Sequence, residues 1–246
     1  MKVGQFAIAA LLFGARLFAA DAFEEGMRAL ASRDYATALS RMEEALVGDP
    51  DNIRFASEYR QAVITAKEYE RSLKFFEKLT TTAPQSANVF LNYGFAYVDK
   101  IPAAGSITQV ILANNALTHF SKSIELKPTW IALYTRGNSY LFWPRIFGRA
   151  PLGIADLERA MAMQTAVPKK SVHVRVYVSL GDGYWKTDNI DKARATWKAG
   201  LKEFPSSTAL SERLALDGDG LKAYIDDVLD PGKRVDTNLK DVWMDR

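Results

Sequence analysis

The chain has 246 residues, 25% of them charged and 48% hydrophobic, and its 32 basic and 29 acidic side chains leave a net charge of +3. That balance suits an ordinary folded protein, excludes a disordered chain or a multi-span membrane protein, and is too weak to mark a nucleic-acid surface. The absence of cysteine excludes disulfides, thiolate metal sites, a cysteine nucleophile and a lipid-bearing N-terminal cysteine. Two histidines, His119 and His173, leave little for metal or acid–base chemistry.

The first predicted element, residues 1–22, has the pattern of a secretory signal peptide. Lys2 supplies the positive start, an apolar run follows from Val3 to Ala20, and Ala20-Asp21-Ala22 offers small residues at a cleavage point before Phe23. Arg16 shortens the uninterrupted run to Val3–Ala15, too short for a bilayer span. An uncleaved anchor and a first amphipathic helix of the fold are the alternatives. The expected location is the periplasm or envelope of a bacterium, without a stable membrane span after cleavage.

Beyond this segment the prolines set a rhythm. Pro50 and Pro84 stand 34 residues apart, Pro128 follows after 44, and Pro205 after 77. Around each lies the same pair of amphipathic helical segments, with no alternating strand pattern between them. Proline ends each second helix because it lacks a donor and disfavours helix in the residue before it.

These units resemble tetratricopeptide repeats. The resemblance implies an all-α, right-handed α-solenoid of about five helical hairpins over residues 23–207, with repeats near 23–52, 53–86, 87–129, 130–166 and 171–207. It also implies a small residue where the first helix crosses its partner, met by Gly26, Gly94, Gly137 and Gly181. Arg60 departs from that rule, so the second hairpin is expected to be looser or shifted. In the second helices the resemblance assigns the close approach to Ala38, Ser72, Ala116, Gly153 and Ala193. Four residues on it assigns large knobs, Met42, Phe76, Phe120, Leu157 and Trp197. A second small site follows at Ala45, Ser123, Ala160 and Gly200, with Leu79 breaking the rule.

Two insertions interrupt the period, one within residues 99–109 and one around residues 142–151. Val110 to Asn114 is expected to extend the following helix backwards. Both insertions are apolar for surface loops. Either Ile101, Ile107, Trp143, Ile146 and Phe147 pack together, or Trp143, Arg145, Phe147 and Arg149 form an exposed interaction patch. After Pro205, residues 208–230 read as capping helices broken at Asp217–Gly220, with Asp219 as a helix cap rather than a calcium ligand. Residues 231–246 form a polar tail that either is disordered or lies along the body with Trp243 as its anchor.

The resemblance places the first helix of each repeat along a concave groove. Its lining is expected to include Arg54, Glu58, Gln61, Asn88, Asn92 and Phe95, then Tyr134, Asn138, Arg175, Ser179, Asp182 and Trp185. Asn92 and Asn138 stand where some relatives clamp a peptide carboxylate, but lysine partners are absent, which points to mixed polar–aromatic peptide binding. His119 and His173 read as helix-surface residues, and no zinc, nucleophile-elbow or phosphate-loop pattern occurs. The expected activity is a non-catalytic adaptor for protein or peptide partners, with no cofactor, no metal and no nucleic acid. Two other readings stay open: a self-assembling homo-oligomer whose groove is filled by its own tail or by another copy, and a carrier of a small ligand or lipid.

Overall fold

The computed structural model describes residues 3–230, 232–233 and 235–244, with side chains from residue 17 onward. Among the described residues the chain is all-α, with no strand. Its first ten helices come in consecutive pairs: α1 (Val3–Ala31) with α2 (Tyr35–Gly48), α3 (Ile53–Ala66) with α4 (Tyr69–Thr82), and α5 (Ala87–Lys100) with α6 (Ser106–Leu126). The pairs α7 (Trp130–Leu141) with α8 (Ala150–Thr165) and α9 (Val174–Lys186) with α10 (Ile190–Glu203) follow, then α11 (Thr208–Ala215), α12 (Gly218–Val228) and α13 (Lys240–Met244).

Local chemistry sets these boundaries. Helices α2, α4, α6 and α10 each end two residues before Pro50, Pro84, Pro128 or Pro205. The residue that starts the next helix then supplies a side-chain cap. Asn52 accepts from the Phe55 N–H at 3.1 Å, Ser86 from Val89 at 3.2 Å, Thr129 from Ala132 at 3.3 Å and Ser207 from Leu210 at 3.4 Å. Stop and start signals therefore lie one or two residues apart, and the helices on either side are forced to fold back.

Within the hairpins, glycine decides how close the axes come. A Cβ on Gly94 would lie 2.4 Å from Phe120, and one on Gly181 would lie 2.1 Å from Trp197. The five knobs Met42, Phe76, Phe120, Leu157 and Trp197 are all fully buried. Arg60 stands at the position of these glycines in the second hairpin, and there α3 and α4 pack far less closely than the other pairs. Tyr59 fills the wider space, its ring 5.2 Å from Phe75 and 5.9 Å from Phe76.

The chain divides into two compact units. The first holds α1–α6 together with residues Val235–Lys240, around a core that includes Phe23, Met42, Leu46, Tyr59 and Phe76. The second holds residues from Lys127 through α12 and those from Asp241 onward, around Leu141, Leu157, Trp197, Leu210 and Ile225. Leu210 of α11 and Leu221 and Ile225 of α12 are buried in this second core. One reading needs correction here: Asp217, not Asp219, stands at the α12 N-cap, and Asp219 lies in the first turn.

Helix α1 runs through the expected cleavage point, with Ala19, Ala22 and Phe23 in the first core and Phe23 stacked 4.2 Å from Phe55. Lys2 lies outside the described residues. Among the described residues, no helix is long and apolar enough to cross a membrane. In the first insertion, residues Ile101–Ala103 make one 3-10 turn and α6 begins already at Ser106, so the backward extension of that helix is longer than expected.

Candidate peptide-binding site

The most unusual feature of the first unit is a buried guanidinium. Arg60, on α3, is 0% exposed and uses all three of its nitrogens. Nε donates to Asn92 Oδ1 at 3.0 Å, Nη1 to Asp99 Oδ2 at 2.9 Å, and Nη2 to the carbonyl oxygen of Thr237 at 2.9 Å. The guanidinium carbon also lies 4.5 Å from the centre of the Phe95 ring, where the ring's negative face favours a cation. Asn92, Phe95 and Asp99 come from successive turns of α5, and all three are buried. A buried charge needs a paired charge and filled hydrogen bonds, and Arg60 has both.

What Arg60 holds is not another helix but an extended piece of the C-terminal tail. Burial alternates along it: Thr237 and Leu239 are buried, Asp236 and Lys240 are exposed, and Asn238 is intermediate. That period of two is the mark of an extended segment lying on a surface. The Thr237 hydroxyl hydrogen-bonds Asp99 Oδ1, and the Leu239 N–H donates to Ser57 Oγ at 3.2 Å. The outward residues satisfy the tail itself, Asp236 accepting from the Asn238 N–H at 2.9 Å and Asn238 from the Lys240 N–H at 2.8 Å. Thus one main-chain carbonyl, one main-chain amide and one hydroxyl of the segment are read by side chains of α3 and α5.

Several residues expected to line an open groove have other surroundings. Asn92 is fully buried and also donates to the Asn88 carbonyl at 2.9 Å, and Phe95 is buried beneath Arg60 with its ring 5.3 Å from Phe120. Asn88 bonds Asp51 through its main chain and its side chain. Arg54 is exposed, near Glu24 at 3.6 Å and over the Phe23 ring, Glu58 is half-buried, and Gln61 Nε2 is buried without a hydrogen-bond partner.

In the second unit, Asp182 is buried rather than lining a groove. It pairs with Arg213 of α11 through two bonds of 2.6 and 2.7 Å. Burial pushes its carboxyl above the usual range, and the Arg213 guanidinium opposes that rise. Trp185 is also buried, 4.8 Å beneath the Arg145 guanidinium. Tyr134 stacks on Trp130 at 5.4 Å, and its hydroxyl is pushed up by burial. Ser179 donates to Asn138 at 2.8 Å, and Arg175 pairs with Asp241 of the tail at 2.5 Å.

The second insertion is split between the two alternatives. Trp143 is only 8% exposed, capped by Phe147 edge-on at 5.5 Å and by Arg149 at 3.6 Å, so it is a packing residue rather than part of an exposed patch. Ile146 and Phe147 remain 90% and 56% exposed, and Arg145 bonds Asp188 at 2.7 Å. In the first insertion Ile107 is 83% exposed. His173 is buried, not on the surface: its Nδ1 accepts from the Lys170 N–H at 3.2 Å. His119 is half-buried among Phe90, Tyr93 and Tyr97, and burial lowers its pKa to about 4. Among the described residues, no three histidine or carboxylate side chains gather as a metal site.

The tail site was hidden from sequence reading for two reasons. Arg60 looked like a packing defect, and nothing in Thr237-Asn238-Leu239 signals docking. Trp243, the anchor in one of the two readings of the tail, is only partly buried, whereas Leu239 is fully so.

Residues 29–91 match the tetratricopeptide repeat family model. No curated protein matches the sequence. Among solved structures, TTC0263, a thermophilic TPR protein of Thermus thermophilus, aligns with a TM-score of 0.55 at 18% identity, covering 80% of this chain and 97% of its own. A tetratricopeptide repeat protein from Parabacteroides merdae gives 0.57 at 15% identity, covering 85% and 76%. YrrB, described as a TPR protein with an unusual peptide-binding site, gives 0.54 at 14% identity, covering 79% and 91%. At these identities the likeness is one of fold. The chain therefore has the all-α fold of tetratricopeptide repeat proteins, and residues 29–91 carry that family's sequence pattern.

Proposed function

We propose that this chain is a non-catalytic tetratricopeptide adaptor, exported to a bacterial cell envelope, that holds protein partners by short extended segments in the assembly or maintenance of an exported complex. The observation that carries this reading is that Arg60 and Ser57 hydrogen-bond the main chain of an extended segment. Main-chain hydrogen bonds of this kind give an extended segment affinity, and the pockets beside them give selectivity. The peptide-binding site named for YrrB, on a similar fold, agrees with it. Export rests on the charged start, apolar run and small-residue boundary of residues 1–22. The exposed Ile146 and Phe147 supply a second apolar contact for a partner.

A photo-crosslinking residue placed at Arg54 in producing cells tests the binding reading. Discrete protein adducts are expected there and not from the exposed Lys78 on α4. Equal labelling from both positions would sink the reading. N-terminal sequencing of the mature chain, expected to begin at Phe23, tests export.

A further inference from the structure

We infer that the first unit's site selects an extended segment carrying threonine or serine and, two residues later, an aliphatic side chain. Residues Val235–Lys240 are then its resident ligand, displaceable by such a segment of a partner protein. The inference rests on the peptide-holding reading above and names the chemistry of the peptide.

Selectivity follows from what surrounds each position. Asp99 is buried and paired with Arg60, and its Oδ1 accepts the Thr237 hydroxyl, a neutral donor. A phosphate on that hydroxyl would set a second negative charge against Asp99 and remove the donor. Leu239 is fully buried, so a polar or small side chain there would leave unfilled space or an unmet hydrogen bond. Asp236 and Asn238 accept from the tail's own amides, so these positions are free to vary. Residues 235–239 form no helix or strand of their own. Side chains of α3 and α5 and the burial of Leu239 hold them there. One turn beyond Ser57 on α3, Gln61 Nε2 is buried without an acceptor, a donor that the resident segment leaves unused.

The test uses the full chain and a fluorescein-labelled peptide of residues 233–242, followed by fluorescence anisotropy. In wild type the tethered tail competes at an effective concentration on the order of millimolar. The double variant Thr237→Ala/Leu239→Ala weakens that competitor and leaves every helix residue of the first unit unchanged. The peptide is expected to bind the double variant about tenfold more tightly than wild type. Peptides carrying phosphothreonine at position 237 or Leu239→Ala are expected to lose at least about tenfold.

A scrambled peptide that binds as well as the native one would overturn the selectivity while leaving peptide holding intact. Failure of every peptide on a variant with an unchanged helical melting curve would overturn both. A second measurement needs no variant: excess unlabelled peptide should speed hydrogen exchange at the Leu239 amide of the wild-type tail. Unchanged exchange would overturn displacement.

Discussion

Gly181 in the fifth hairpin and Arg60 in the second occupy the same place in their repeats, and their surroundings are opposite. At Gly181 the missing side chain lets α9 settle onto the Trp197 ring, so closely that a single added carbon would collide with it. At Arg60 α3 and α4 pack less closely, and the guanidinium bonds to α5 and to Thr237. The first arrangement uses the position for packing and the second uses it for recognition. A repeat can give up one close crossing provided that the intruding group finds a complete set of partners. Here those partners include a segment from the far end of the chain.

Breaking the recognition side of this contrast should cost the most. Arg60→Ala breaks the buried pair with Asp99 and the bonds to Asn92 and Thr237, and should destabilise the first unit by about 3–5 kcal/mol in urea unfolding. Adding Asp99→Ala should recover part of that loss, because it removes the carboxylate that Arg60 had paired. A double variant no more stable than the single one would show that Arg60 acts by filling space. On the packing side, Gly181→Ala should cost about 1–3 kcal/mol, since Trp197 must move. Gly105→Ala, where a Cβ would meet nothing within 4 Å, serves as the control and should change stability by less than about 0.5 kcal/mol.

A smaller effect isolates the hydroxyl. Thr237→Val keeps the shape of the side chain and removes only the donor to Asp99, so it should cost about 1–3 kcal/mol. The loss should vanish when Val235–Lys240 is already undocked by Leu239→Ala.

The mildest test sharpens the comparison with the third hairpin, whose Gly94 crossing lies close to a titratable ring. Burial among Phe90, Tyr93 and Tyr97 holds His119 neutral to about pH 4, below its ordinary value of 6.5. The folded state therefore binds fewer protons than the unfolded chain over that interval. Its stabilisation is complete above about pH 6.5 and is lost progressively as pH falls toward 4. His119→Phe should flatten that part of the stability profile, read as urea midpoints at several pH values. An unchanged profile would assign the acid sensitivity to other groups.

Much of the fold was legible in the residues because hairpin packing is a local matter. The pairs Gly94 with Phe120 and Gly181 with Trp197 lie 26 and 16 residues apart, the difference being the insertion in the third repeat. The recognition site was legible only in part. Asn92 and Phe95 were singled out on the correct helix, yet as open groove residues, because burial by a distant segment leaves no periodic trace. For Trp143 both packing and exposure stayed open, since an aromatic in a loop looks the same whether an arginine covers it or not.

By itself the amino-acid order determined the helical pairs, their stops and caps, and the knobs that each crossing buries. Those features depend on residues that lie within one helical hairpin of each other. Only the tertiary structure decided that Arg60 bonds α5 and the Thr237 carbonyl and that the Leu239 amide reaches Ser57. Those contacts join residues 177 and 182 positions apart. No spacing rule reaches across such a separation, because the partners are selected by shape and charge once the helices have already packed.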